Sequence, residues 1–194
     1  EWIFRAVDYS FSPTTKYAIL GPNGSGKSTF IKVLTGQLTS SEGNIQYFDQ
    51  GEEIPVEDIY RHVAIAAPYI ELIEEFTLNE LLDFHFKFKA YLPGFNKQSV
   101  IALLNMEKAA DKGIKYFSSG MKQRVKLALA CCSASKILFL DEPTSNMDTE
   151  GEAWYLNLIA QTVDTNQDCI LIIGSNQEKE YGFCDAYFRI TDYK

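Results

Sequence analysis

Residues 21–28 read Gly21-Pro-Asn-Gly-Ser-Gly-Lys27-Ser28, placed between the apolar run Lys16–Leu20 and an amphipathic stretch over Ser28–Leu38. Glycines at 21, 24 and 26 let the main chain adopt positive φ and approach an oxyanion with no Cβ in the way. The loop N–H groups, together with the positive end of the helix that follows, then face phosphate oxygens. Pro22, Asn23 and Ser25 complete the loop. Lys27 offers a point charge to β- and γ-phosphate oxygens, Ser28 a hydroxyl to Mg²⁺, and Thr29 continues the helix start. A glycine-rich turn with a chance lysine is the competing explanation, and the strand–loop–helix setting together with the spacing weighs against it.

A second block, Lys136-Ile-Leu-Phe-Leu-Asp141-Glu142-Pro143, is an apolar strand that delivers an acid at its C-terminal end. Such a strand matches the metal-holding element that accompanies a phosphate loop. Asp141 is placed to hold Mg²⁺, and Glu142 to polarise an attacking water. Apolar strands ending in two acids are common, so this block gains its meaning from the loop at 21–28. A third block, Tyr116-Phe-Ser118-Ser119-Gly120-Met121-Lys-Gln-Arg124, opens a helix. Its hydroxyls and glycine form either a surface for an anion or an ordinary N-cap.

Around these blocks strands alternate with helices. Strands are expected at Lys16–Leu20, Asn44–Phe48, Val63–Ala67, Ile137–Leu140, Cys169–Ile173 and Ala186–Ile190. Thr77-Leu-Asn-Glu80 is a capping box for a helix running to Tyr91, despite the period-two spacing of Phe84, Phe86 and Phe88. Further helices are expected over Gln98–Ala110, over Ser118–Ala134, and from Thr149-Glu-Gly-Glu152 to Val163. Strands joined by helix-length crossovers predict a parallel sheet covered on both faces, with the helical stretch 68–135 inserted between two of its strands.

Composition narrows the role. With 46% hydrophobic residues the 194-residue chain can bury a core, which excludes intrinsic disorder. A net charge of −8 is a poor match for nucleic acid or anionic lipid. No apolar run approaches the ~20 residues that span a bilayer, so a role at a membrane needs another chain to supply the membrane part. The cysteines at 131, 132, 169 and 184 have neither disulfide-framework nor zinc spacing and read as small buried hydrophobes.

The order of blocks resembles the nucleotide-binding domain of ATP-binding cassette (ABC) proteins over essentially the whole chain. The resemblance implies an α/β fold of the P-loop NTPase, RecA-like type, with a small antiparallel β portion near Asn44–Phe48 and an inserted α-helical subdomain. The core would comprise residues 1–67 and 136–194, and the subdomain residues 68–135. ATP and Mg²⁺ would bind at residues 21–29, with Ser28 and Asp141 on the metal and Glu142 as general base. Phe117–Met121 falls where the family has its LSGGQ signature; Ser118 and Gly120 match, Ser119 replaces a glycine and Met121 a glutamine. In the family this segment closes the ATP site of a second subunit, so two ATP molecules are sandwiched in a head-to-tail dimer. Ser145-Asn-Met-Asp148 resembles the D-loop that crosses that interface. Partners would be a second copy or a paired ABC subunit, and an integral membrane permease on a separate chain. The location would be cytoplasmic, peripheral at the inner face of the membrane through that permease, and no nucleic acid is expected.

Departures from the family pattern qualify this. Asn176 stands at the position of the switch histidine, where it can hydrogen-bond a γ-phosphate but cannot take up a proton, so slow hydrolysis is expected. His62 and His85 lie too far off in the pattern to substitute. Pro68 stands where the Q-loop glutamine is expected, leaving the metal to Ser28, Asp141, phosphates and water. The chain opens at Glu1 without a methionine, which reads as a trimmed or a disordered start; Trp2 and Phe4 read as strand residues, and no adenine-stacking ring is assigned. A non-transport ABC ATPase of a soluble assembly shares every ATP-site residue, and the single phosphate loop favours the transport reading. A small-molecule kinase is disfavoured because Arg5, Arg61, Arg124 and Arg189 are scattered.

Overall fold

The computed structural model describes residues 2–166 and 168–194, so Glu1 lies outside the described residues. Strand β1 (Lys16–Leu20) leads into helix α1 (Lys27–Leu34). A hairpin follows, β2 (Tyr47–Asp49) and β3 (Glu52–Ile54), then strand β4 (Val63–Ala66). Helices α2 (Leu78–His85), α3 (Lys97–Leu104) and α4 (Ser119–Cys131) precede β5 (Ile137–Asp141). Helix α5 (Thr149–Thr162), strand β6 (Ile170–Ser175), the short helix α6 (Glu178–Tyr181) and strand β7 (Ala186–Arg189) complete the alternation. The main sheet has the order β4-β5-β6-β1-β7, with every pairing parallel.

The strands are continuous apolar runs because both faces of the sheet are covered, as parallel sheets require. Tyr17, Ile19, Phe139 and Ile172 pack toward Phe30 and Ile31 of α1. Their neighbours Ala18, Leu138, Leu140, Leu171 and Ile173 pack toward α4, α5 and the helices inserted after β4. The register pairs Asp141 with Gly174 and Leu20 with Ser175, which sets the C-terminal ends of β5, β6 and β1 side by side. Ligands of open α/β sheets bind at this edge, and here it carries Asp141, Gly174 and the start of the glycine loop.

The capping box forms as read: Thr77 Oγ1 accepts from the Glu80 N–H at 3.2 Å, and Glu80 Oε2 accepts from the Thr77 N–H at 2.8 Å. Several element boundaries differ from expectation. Helix α2 ends at His85 rather than Tyr91, because the chain then turns to pair with the end of α4. Leu92 donates to the Cys132 carbonyl, Ala134 donates to the Ala90 carbonyl, and the Phe86 ring stacks on Tyr91 at 3.6 Å. Tertiary pairing there outweighs local helical preference. Helix α3 stops at Leu104 rather than Ala110: Asn105 takes left-handed φ of 55°, and a 3₁₀ turn over Glu107–Ala109 follows. Asparagine tolerates that conformation better than most residues. The expected strand Asn44–Phe48 is only Tyr47–Asp49, with β3 as a partner unforeseen in the sequence; Gln50 and Gly51, both at positive φ, make the two-residue turn between them. Helix α1 ends at Leu34 rather than Leu38. Trp2 and Phe4 belong to no strand; Trp2 is exposed and Phe4 packs edge-on against Phe30 at 5.2 Å.

The N-cap of α5 is Asp148, not Thr149: its Oδ1 accepts from the Gly151 N–H at 2.8 Å. Asp148→Ala should therefore cost about 1 kcal/mol in urea unfolding, and Thr149→Ala less than about 0.5 kcal/mol. Equal costs for the two would return the cap to Thr149.

Candidate active site

The loop between β1 and α1 is shaped by its glycines. Gly24 and Gly26 sit at φ of 76° and 105°. A Cβ on Gly21 would lie 2.5 Å from Ser25 Oγ. The Ser25 N–H donates to the Pro22 carbonyl at 3.1 Å and fixes the loop's curl. Helix α1 has no acidic residue in its first turn and no side chain capping it, so its positive end is left unneutralised. Lys27 is buried and folds back along the loop, donating from Nζ to the carbonyls of Gly21 at 2.8 Å and Pro22 at 3.3 Å.

Asp141 ends β5 beside this loop. It is 1% exposed, and its Oδ1 has no hydrogen-bond partner among the described residues. Burial pushes its carboxyl above the usual carboxylate range, and the negative charges of Glu142 and Glu180 push the same way. The nearby Ser28 hydroxyl and the charge of Lys27 oppose the rise. Space for the carboxylate depends on Gly174: a Cβ there would meet Asp141 Oδ1 at 2.8 Å and Ile31 Cδ1 at 2.7 Å.

Glu142 follows at φ 44°, a left-handed conformation rare for a residue of its type. Its N–H donates to the Gly174 carbonyl at 2.8 Å, and its carbonyl accepts from the Ser145 N–H at 3.0 Å. Its partly exposed carboxylate takes no hydrogen bond among the described residues. Across the cleft, Asn176 Nδ2 donates to Asn23 Oδ1 at 2.9 Å, which ties the end of β6 to the glycine loop. The residues 21–29, 141, 142 and 176 singled out in the sequence thus converge on one edge of the sheet.

The segment 118–120 lies elsewhere. Ser118 Oγ caps α4, accepting from the Met121 N–H at 3.2 Å, while Ser118 and Ser119 stay exposed to solvent. Gly120 abuts the loop after β5, where a Cβ would stand 3.3 Å from the Asn146 carbonyl. Among the described residues no hydrogen bond joins 118–120 to the loop 21–29. Gln123, buried one turn into α4, donates from Nε2 to the Pro143 carbonyl at 2.9 Å and links this helix to the segment after Asp141.

Three residues at or near this edge were not legible as site residues. Tyr69 follows Pro68; Lys32 Nζ lies 4.1 Å from its ring centre, and burial with the nearby Asp141 charge raises its phenol pKa. Gln123 sits in an ordinary helical pattern. Glu180, in the short α6, is 0% exposed, and one acid among several around it gives no signal in the sequence.

The donor set suits magnesium. A buried carboxylate with an unpartnered oxygen and an adjacent hydroxyl are hard oxygen donors. Among the described residues no cluster of three or more His, Cys, Asp or Glu could enclose a metal, so Ser28 and Asp141 would share one with phosphate oxygens and water.

Residues 4–145 match the family model for the ABC transporter. The chain belongs to the ABC transporter family. This ABC cassette is 34% identical over 154 residues to the lantibiotic transport ATP-binding protein SrtF of Streptococcus pyogenes, covering 77% of this chain and 63% of that protein. It is 27% identical over 158 residues to the daunorubicin/doxorubicin resistance ATP-binding protein DrrA of Streptomyces peucetius, covering 80% of this chain and 48% of that one. The ABC cassette therefore spans less than two thirds of the length of these relatives. Its fold is that of a putative ABC transporter ATP-binding protein from Pyrococcus furiosus, with a TM-score of 0.81, 21% identity, and coverage of 100% of this chain and 93% of that one. A post-hydrolysis dimer of the cassette MJ0796 bound to ADP and Pi matches at a TM-score of 0.78 and 19% identity, covering 97% of this chain and 88% of that one.

The unpartnered Asp141 oxygen makes a stability prediction. Without nucleotide or metal, Asp141→Asn should raise stability at neutral pH by about 1–3 kcal/mol, by removing a buried charge. Because the folded-state pKa is raised, the charge penalty is full above it and disappears as pH falls below the unfolded value, so the gain should shrink as the medium is acidified. Urea unfolding across the acid range checks this; a pH-independent difference would refute it.

Proposed function

We propose that this chain is the ATP-binding and ATP-hydrolysing subunit of an ABC transporter, acting as a head-to-tail dimer with a separate membrane permease. The observation that carries the reading is the meeting of the glycine loop, Lys27, Ser28 and the unpartnered Asp141 oxygen on one sheet edge. In this reading the loop N–H groups and the start of α1 bind the triphosphate. Lys27 exchanges its carbonyl partners for β- and γ-phosphate oxygens. Ser28 and Asp141 hold Mg²⁺, which supplies charge neutralisation on the phosphates. Glu142, aimed by its main chain and free of side-chain partners, takes the proton of the attacking water. Asn176, already beside Asn23, hydrogen-bonds the γ-phosphate without being able to carry a proton.

Exposure of Ser118 and Ser119 supports the dimer. A γ-phosphate on one chain's loop is open to water on one side, and a second copy's α4 start would close it with hydroxyl and N–H donors. Among the described residues no helix is long and apolar enough to cross a membrane. Relatives named for lantibiotic transport and for daunorubicin/doxorubicin resistance support a transport role.

Glu142→Gln should retain ATP binding and accumulate as a dimer on size exclusion in Mg-ATP, with hydrolysis reduced about 100-fold or more. Wild-type turnover in that variant would remove Glu142 as the base. Lys27→Ala should weaken nucleotide binding by roughly 1.5–3 kcal/mol, read by titration with a fluorescent ATP analogue. Asn176→His should raise turnover about 10-fold or more by restoring a proton-carrying group, while leaving nucleotide affinity within about two-fold.

A further inference from the structure

Glu180 is a fully buried carboxylate with no lysine or arginine among its hydrogen-bond partners. Oε1 accepts twice from Thr144, from the N–H at 2.9 Å and from Oγ1 at 2.5 Å. Oε2 accepts from the Ser175 hydroxyl. Ser175 Oγ in turn accepts from the Gln177 N–H at 2.9 Å, and the Tyr155 hydroxyl of α5 donates to the Glu180 carbonyl at 2.9 Å. Burying a carboxylate on neutral donors alone is costly, and a core side chain would fill the space more cheaply. Its two oxygens are also divided between two separate segments. Thr144 stands two residues beyond Glu142, and Ser175 immediately precedes Asn176.

We propose that Glu180 is a positioning residue for ATP hydrolysis: its carboxylate clamps the loop that carries Glu142 to the strand end that carries Asn176. The inference rests on the reading of Glu142 and Asn176 given above. A carboxylate suits this task because it accepts from both sides at once, so neither segment can shift without disturbing the other's bonds. Severing one arm should then loosen the opposite segment. A conservative amide at 180 keeps one acceptor oxygen for Thr144 and should keep part of the clamp.

Two measurements on the full chain test this. In hydrogen exchange, Ser175→Ala should speed exchange in residues 142–146 about 10-fold, and Thr144→Val should do the same in residues 175–177, with the strands β1 and β5 unchanged. Loosening confined to the segment that carries each substitution would overturn the clamp. In steady-state kinetics, Glu180→Ala should lower kcat about 10-fold or more with KM for MgATP within about two-fold, and Glu180→Gln should recover part of the loss. A fall in kcat that tracks a fall in nucleotide affinity and thermal midpoint, with no recovery in the Gln variant, would mark Glu180 as structural only. If the alanine variant does not fold, the Gln variant and the two donor variants decide the question. Failure of the wild-type chain to hydrolyse ATP would count against the proposed function, while the exchange result would still decide the clamp.

Discussion

Asp141 is a carboxylate that the protein does not satisfy from within. It lies at the end of a central strand, closed in by Ile31, Gly174 and the glycine loop, with one oxygen facing no donor. The other features of that edge are arranged around this unbalanced charge. Glycine at 174 makes room for it, Ser28 and Lys27 favour its charged form against burial, and Lys27 spends its own hydrogen bonds on loop carbonyls. A fold that tolerates an unbalanced buried anion holds back part of its stability for whatever cation completes the site. The parallel sheet makes this possible, since its strand ends gather side chains from distant parts of the chain at one edge.

Much of this was legible in the sequence. The glycine loop and the Asp141 strand could be read because their chemistry depends on residue type at fixed spacing, and the Thr77 capping box because its two bonds are local. Most of what escaped was set by distant partners. Helix α2 ends early because residues 90–92 pair with the end of α4, across a long stretch of chain. Asn105 closes α3 by its own conformational tolerance, which is a local property of the residue. Glu180 carries no pattern of its own; only the fold brings Thr144 and Ser175 to its two oxygens.

The departures at 68 and 176 look different once placed. Pro68 offers only a carbonyl, which accepts from Lys126 Nζ at 3.3 Å, but Tyr69 beside it brings a ring against Lys32 and a phenol into the field of Asp141. Asn176 is likewise engaged, with Asn23 as its partner, so a side-chain amide bridge joins the glycine loop to the end of β6.

The left-handed backbone at Glu142 has a wider consequence. Its direction is imposed by two main-chain hydrogen bonds, to Gly174 and from Ser145, rather than by anything the side chain touches. Geometry and chemistry are thus separable at this residue. An amide or a hydroxyl could take the place of the acid there without redrawing the fold around it.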